Sequence, residues 1–228
     1  MATPTRPTLD DHVANDGRAL HVYLKARAEY NEHRLAHHDF LHILRDMHRA
    51  LVIADTEPSV DYGILIPAVL LHDIGFFTPD CKDLGHDVTG ARLAAEWLSD
   101  FGYSSAQIDA IGHCIRAHKG KAETPWSLEA KILYDADVLE KAGAVYLILA
   151  GKVICEFDET IAHCLAREVV DRAREVSHGY YTRMGQKLDN GRLERSRVLL
   201  DEVHAEIQSE RFDIQLDETA LWAGGPPE

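Results

Sequence analysis

The chain has 228 residues, 46% of them hydrophobic and 27% charged, with a formal net charge of -14. That length suits one large domain, and the apolar share excludes a disordered chain. The acidic balance argues against general nucleic-acid binding and against docking on anionic membranes, both of which need clustered lysine and arginine; a small phosphate ligand stays open if a metal cation supplies the positive charge.

The opening "MATPTRPTLDD" lacks the apolar core of a signal peptide, and no apolar run reaches the length of a membrane span. The four cysteines, Cys81, Cys114, Cys155 and Cys164, form no C-x-x-C pair, so zinc-ribbon and thioredoxin-type sites are not expected. A soluble, cytoplasmic, thiol-reduced protein is expected. Histidine is abundant, at 14 residues, so position has to decide which of them carry chemistry.

In chain order, residues 15–38 read as a first helix, and "DFLHILRDMHRALVIAD" as a second, with Phe40, Leu44, Met47, Leu51 and Ala54 at helical spacing. "YGILIPAVLLHD" is apolar nearly all round and predicts a central buried helix, with Pro67 marking a kink or a later start. "IGFFTPDCKDLG" reads as a loop. A helix is expected from about Asp87 to Phe101, stopped by Gly102. Another opens with a capping box, Ser104 and Gln107, and stops at Gly120. Ser127 is the expected N-cap of a helix that runs past Lys141. Two amphipathic stretches follow, roughly Ile161 to Val176 and Arg192 to Ile207, the second with Leu193, Leu200, Val203 and Ile207 on one face. Strand signals are nearly absent. The fold class is all-α, a single domain of about seven or more helices.

"LLHDIG" (70–75) stands out. It ends an apolar run with a histidine, an aspartate and a glycine. Burying an uncompensated charge there is costly. Both side chains can reach one cation if the chain turns, and Gly75 permits a turn. Imidazole and carboxylate together suit Mn, Fe, Co, Ni or Zn. Further ligands are needed. In the helix from Ser105, Ile108, Ile111 and Ile115 form the buried stripe and His118 continues it; His113, about 140° away, is expected to face solvent. In "YDADVLE", Asp135 and Asp137 both lie inside an apolar helix, and periodicity does not choose between them. His38 and His42 form an i, i+4 pair.

The ordered set "HDFLHILRD", "AVLLHDIG", "GHDVTGARLAAEWL", "IDAIGHCIRAH" and "LEAKILYDADVLEKAGA" resembles the HD-domain superfamily of metal-dependent phosphohydrolases over residues 37 to 145, with "YYTRMGQKLDNGRLERSRVLLDEV" weakly similar to a helical tail found in a bacterial subgroup. The resemblance implies an HD-type helical bundle: an N-terminal helical segment over residues 1–36, a metal-binding core over 37–150, and supporting helices of the same domain over 151–228. It implies a first metal on His42, His72, Asp73 and Asp137, favouring His42 over His38 and Asp137 over Asp135. In subgroups with a second metal, two more histidines join, at the places held here by His86 and His118; the alternative is one metal with those histidines on substrate phosphate. The cofactor implied is one or two divalent ions (Mn, Fe, Co, Ni, Zn or Mg).

The implied reaction is hydrolysis of a phosphate ester or anhydride, most simply of a nucleotide or related small phosphorylated metabolite, by a metal-activated water. Asp73 bridges the ions or, with one metal, helps deprotonate the water. Arg45, Lys119 and Lys121 are candidates for substrate phosphate, with a solvated side chain as the plain alternative for each. The expected partner is that small substrate, with no nucleic acid and no membrane; a homodimer is compatible. Two departures stand out. Phe76 occupies a position where many relatives carry lysine or glutamate, and the GYP triplet of cyclic-di-GMP phosphodiesterases is absent. Alternatives on the same ligand pattern are a di-iron oxygenase cleaving a C–C or C–P bond and a non-catalytic nucleotide-sensing module.

Overall fold

The computed structural model describes residues 8–210; the ends of the expected N- and C-terminal segments, residues 1–7 and 211–228, lie outside the described residues. Within them the chain forms twelve α-helices and one 3-10 turn, with no strand. The all-α expectation holds.

A short helix, α1 (Leu9–Asn15), and a longer one, α2 (Gly17–His33), lead into α3 (Phe40–Ala54). Thr8 caps α1 through a capping box with Asp11, and Asp39 caps α3 by accepting from the His42 backbone N–H at 2.8 Å. The first helix is shorter than expected because Arg34 turns left-handed (φ 49°) and ends it. Then comes α4 (Tyr62–Leu71), buried from Ile64 to Leu71. It continues through Pro67 and packs on α2, α3, α7 (Ser105–Ala117) and α8 (Leu128–Glu140). Its uniform hydrophobicity fits a helix enclosed on all sides.

The expected loop after α4 contains the 3-10 turn (Ile74–Phe77) and the short α5 (Cys81–Leu84). The turn lies against the start of α6 (His86–Asp100). A Cβ on Gly75 would come within 1.9 Å of the His86 carbonyl oxygen, so only glycine allows this approach. The capping box of α7, Ser104 with Gln107, and the Ser127 cap of α8 form as expected.

One expectation fails at the end of α8. It stops at Glu140 rather than passing Lys141, because Gly143 adopts φ +93° and donates to the Arg192 carbonyl at 2.8 Å. A separate helix, α9 (Val145–Phe157), follows. The last helices are α10 (Ile161–His178), α11 (Arg183–Asp189) and α12 (Arg192–Glu210), with α10 packed along α12. Leu200, Val203 and Ile207 join Tyr146, Ala150 and Leu165 in a small satellite core, while Leu193 packs with Tyr134 and Val138 of α8. The main core comes from α2 to α8. No helix among the described residues is long and apolar enough to cross a membrane.

Candidate metal centre

His42, Asp46, His72 and Asp137 converge, each offering an atom within 4.8 Å of the others, and Asp73, His86 and His118 form a second such group; all seven are buried. Asp73 lies between the groups. Its Oδ2 is 3.2 Å from Nε2 of both His42 and His72, and its Oδ1 is 3.4 Å from Nε2 of His86 and 3.7 Å from that of His118.

The local folding explains this convergence. His72 and His118 are the C-cap residues of α4 and α7. Each donates Nδ1–H to the carbonyl three residues back, His72 to Val69 at 2.9 Å and His118 to Ile115 at 2.6 Å. In the neutral ring that bond fixes the tautomer and turns the Nε2 lone pair toward the cluster. His86 opens α6 behind Gly85 (φ +87°) and is held by Phe76, stacked at 3.9 Å. His42 lies on the inner face of α3, with Nδ1 3.6 Å from a Glu140 oxygen.

Both nitrogens of His42, Oδ2 of Asp46 and Nε2 of His72 are buried without any hydrogen-bond partner. Unsatisfied buried polar atoms cost free energy; Nδ1 of His42 faces Glu140, and the other three, Nε2 of His42, Nε2 of His72 and Oδ2 of Asp46, face one another, which suits a cation with imidazole and carboxylate ligands. The electrostatics fit too. Burial opposes ionisation of Asp73, yet the neighbouring histidines, His72 first, hold its carboxyl well below the usual range. Burial, then the nearby His72, pushes His118 down to about 3, and burial, then Lys119, keeps His86 low. Both are favoured as neutral imidazoles, the form that ligates metal; at His42 and His72 burial works the same way, but the carboxylates of Asp46 and Asp73 outweigh it and raise both, so a cation binding there displaces protons.

Eight of the nine expected site residues, all but Arg45, lie in or beside this cleft. Asp137 is in the inner group, with Oδ2 accepting from Lys141 at 2.8 Å. Asp135 points away, accepting from the backbone N–H of Tyr181 and Thr182 and from the Thr182 hydroxyl at 2.7–2.9 Å. It anchors the start of α11. His38 pairs with Glu156 at 2.5 Å at the cleft wall. Lys119 and Lys121 both line the cleft, Lys119 half-buried with no ion pair among the described residues, Lys121 exposed and bonded to Asp171 at 2.8 Å.

Two expectations need correction. Arg45 does not line the cleft; its Nε donates to Glu140 at 2.8 Å, so it buttresses the carboxylate behind His42 rather than reaching substrate. His113 is not solvent-facing. It is buried, bonded to Glu123 at 2.5 Å and stacked on Trp126 at 4.3 Å, because α7 is covered on more than its isoleucine stripe.

Asp46 is the ligand-type residue that the sequence reading passed over. Of the expected stripe of α3, Phe40, Met47 and Ala54 are buried and Leu44 and Leu51 only half-buried, and the buried arc extends to Ile43, Asp46, Ala50 and Ile53 on the other side. An aspartate on that wider arc, four residues after His42, was the available signal. Asp46 is also tied to Arg49 at 2.7 Å.

Asp73, His86, His118 and Asp137 form the floor of a cleft of about 300 Å³, with His42, Asp46 and His72 behind it. A helical bundle that aims two sets of imidazoles and carboxylates at each other across one shared aspartate belongs to the metal-dependent hydrolases. The HD domain family matches residues 25–142, just over half of the sequence, and the chain is a member of that family. The 3'-5' exoribonuclease YhaM of Bacillus subtilis is 32% identical over 143 residues, 51% of this chain and 45% of that protein. YhaM of Bacillus velezensis is 31% identical over 147 residues, 53% and 46% respectively. The chain thus spans about half the length of these curated relatives. Among solved structures, a predicted HD superfamily hydrolase from an uncultured Thermotogales bacterium is 26% identical with a TM-score of 0.51, covering 83% of this chain and 91% of that one. YpgQ of Bacillus subtilis, solved in complex with ADP, shares the fold with a TM-score of 0.58 at 23% identity, over 84% and 95% of the two chains.

Proposed function

We propose that the protein is a phosphohydrolase acting on a small phosphorylated substrate, a nucleotide first among them, with two divalent ions. The observation that carries this is the pair of facing groups on either side of Asp73, the inner one with buried nitrogen and oxygen atoms that lack any hydrogen-bond partner. His42, His72, Asp137 and Asp46 would hold the inner ion, His86 and His118 the outer one, and Asp73 would touch both. Bound divalent ions supply a Lewis acid for phosphoryl oxygens and a water of lowered pKa.

The chain's own residues supply the rest. Asp73 is a poor proton acceptor, since its neighbours hold its carboxyl so low; that suits a ligand better than a general base. Lys119 has an ammonium without an ion pair on the cleft wall beside His118, where it meets a phosphate oxygen. The volume of about 300 Å³ matches a single small ligand.

The relatives named as exoribonucleases act on RNA, so a 3'-terminal phosphodiester is a second reading of the same chemistry, one that the acidic balance of the chain disfavours. The test is phosphate or nucleotide release by metal-stripped protein, reloaded with Mn²⁺, Fe²⁺, Co²⁺, Ni²⁺, Zn²⁺ or Mg²⁺, from nucleotides, sugar phosphates and a short RNA. Release from small nucleotides supports the reading, and release from RNA alone replaces its substrate. No release with any metal, beside oxygen consumption by the iron form, overturns it in favour of an oxygenase.

A further inference from the structure

The described chain folds into two units with separate apolar interiors. The main core is built by α2 to α8, with Met184 and Leu188 of α11 packed against it; among the described residues it takes nothing from α9, α10 or α12. Those three helices bury Tyr146, Ala150, Leu165 and Leu200 among themselves. They form a cap whose inner face is one wall of the cleft, opposite the metal-facing groups. The chain passes between core and cap at three places, and each holds a glycine with positive φ: Gly143 (+93°) before α9, Gly179 (+74°) after α10 and Gly191 (+74°) before α12. The crossings gather round one small cluster, in which Tyr134, Val138 and Ala142 on the core side meet Val176 and Leu193 of the cap. From that end α9 runs for 13 residues, about 20 Å, to the tip of the cap. There the ties to the core are polar. Glu156 accepts from the backbone N–H groups of His37 and His38 at 2.6 and 3.0 Å and meets the His38 ring, and Lys152 donates to Asp39 at 3.1 Å. Farther back, Asp171 of α10 holds Lys121 and Arg174 donates to the Lys119 carbonyl at 3.0 Å. Phe157 adds a ring contact with Phe76, centroids 5.6 Å apart.

We infer that α9, α10 and α12 swing as one rigid lid about the end that carries Gly143, Gly179 and Gly191, and that Glu156 is the latch that holds the lid closed over the cleft. Parting two apolar faces exposes carbon to water and is costly in proportion to the area. Parting ion pairs and hydrogen bonds near the surface exchanges them for bonds to water at little net cost. Units joined in this second way move relative to each other unless something pins them. The half-buried Glu156 side chain, with three polar contacts to the segment before α3, is the strongest such pin on the cap. Hinge positions absorb φ and ψ changes, and glycine does so without a Cβ in the way. The motion opens the wall that faces the metal-facing groups, so it governs entry and exit for ions and substrate alike, and it does not depend on the reaction assigned to the cleft.

The test is a pulsed electron-resonance distance measurement on the full metal-free chain. One spin label goes on the exposed Cys155 near the tip of the cap, the other on Glu32→Cys at an exposed position of α2, with the half-buried Cys81 changed to Ser. With Glu156 intact the short, closed distance dominates. Glu156→Ala adds a longer distance and raises the ratio of open to closed by about tenfold or more, while circular dichroism shows the helices retained. The same variant loses Mn²⁺ to a chelator faster. Arg197→Gln, which breaks ion pairs to Glu194 and Asp201 within α12, leaves the distances as they were. Lys152→Ala, at a partly exposed side chain, repeats the Glu156 pattern more weakly if Glu156→Ala fails to fold. Distances unchanged in every folded latch variant overturn the inference. So does a longer distance that comes with loss of helix, which means that the cap unravels instead of swinging, or one that Arg197→Gln produces equally.

Discussion

The inner and outer groups differ in how the protein holds them. The inner one lies behind the cleft floor and reaches it only through Asp137, and its members are braced from outside: Arg49 on Asp46 at 2.7 Å, Glu140 beside His42, the Val69 carbonyl on His72, Lys141 on Asp137 at 2.8 Å. The outer one lies on the floor itself, with Asp73, His86 and His118 all lining the cleft. His118 has a carbonyl behind it, whereas His86 is held by ring contacts, stacked on Phe76 with the His38 and His118 rings nearby. Outer-shell bonds that fix tautomer and orientation raise metal affinity. An inner ion is therefore expected to be held tightly and an outer ion to exchange and to meet substrate. Titration with a chelator should remove metal in two steps, the outer ion first.

The largest effect should come from the residues that break both groups at once. His72→Ala or Asp73→Ala should remove metal and activity while circular dichroism shows the helices retained, with a lower melting temperature because bound metal stabilises the folded state. Undiminished metal content in both purified variants would falsify the assignment. Asp137→Asn should follow, lowering activity by orders of magnitude because an amide does not replace the carboxylate charge. Asp135→Asn is its control. It keeps its activity per folded molecule but loses about 1–3 kcal/mol from the bonds to Tyr181 and Thr182, read as a drop of about 2–4 °C in melting temperature per kcal/mol. An inactive but stable Asp135 variant would mean that the two aspartates have exchanged roles.

The outer group alone is broken by His86→Ala or His118→Ala. Metal content should fall from about two ions per chain to about one, with the inner ion kept. A rise in KM at unchanged metal content would put these histidines on substrate phosphate instead. Wild-type protein that saturates at one ion with every metal tested removes the two-ion reading.

How legible all this was differs between the core and the last helices. The caps at Ser104 and Ser127, the buried run from Ile64 to Leu71 and the inward turn of His118 follow from local pattern, because one neighbouring layer decides them. Asp46 is overlooked and His113 misplaced for one reason: the apolar stripes read for α3 and α7 are narrower than the arcs that are buried, which take in Asp46 beside Ile43 and Ala50 and His113 beside Cys114. The choice between Asp135 and Asp137 depended on a partner 46 residues away, the backbone at Tyr181, which periodicity within α8 does not register. The break before α9 likewise depends on a long-range bond, from Gly143 to Arg192.

Glu140→Gln sharpens the contrast between the groups without touching a ligand. Burial pushes the Glu140 carboxyl up, but His42, Arg45 and Arg49 outweigh it and hold it well below its ordinary 4.5. A carboxylate with a depressed pKa contributes support that is complete above the ordinary value and is lost as pH falls through the lower folded one. At neutral pH the variant should therefore show its full effect, a loss of about 10–100-fold in affinity for the inner ion, with the outer ion unchanged. Equal weakening of both ions would show that Glu140 acts on the fold as a whole.

The smallest effect is expected at Arg45, and it separates bracing from catalysis. The guanidinium holds Glu140 from outside the cleft and its side chain is 38% exposed. Arg49 holds the same carboxylate at 2.6 Å from a more buried position, so Glu140 keeps a cationic partner when Arg45 is replaced. A partly exposed ion pair with a remaining partner contributes about 0–1 kcal/mol. Arg45→Gln should leave kcat and KM within about threefold of wild type and lower the melting temperature by a few degrees at most. A KM that rises by an order of magnitude at unchanged metal content and stability would put Arg45 on the substrate after all. It would also mean that the cleft opens toward α3 when ligand binds.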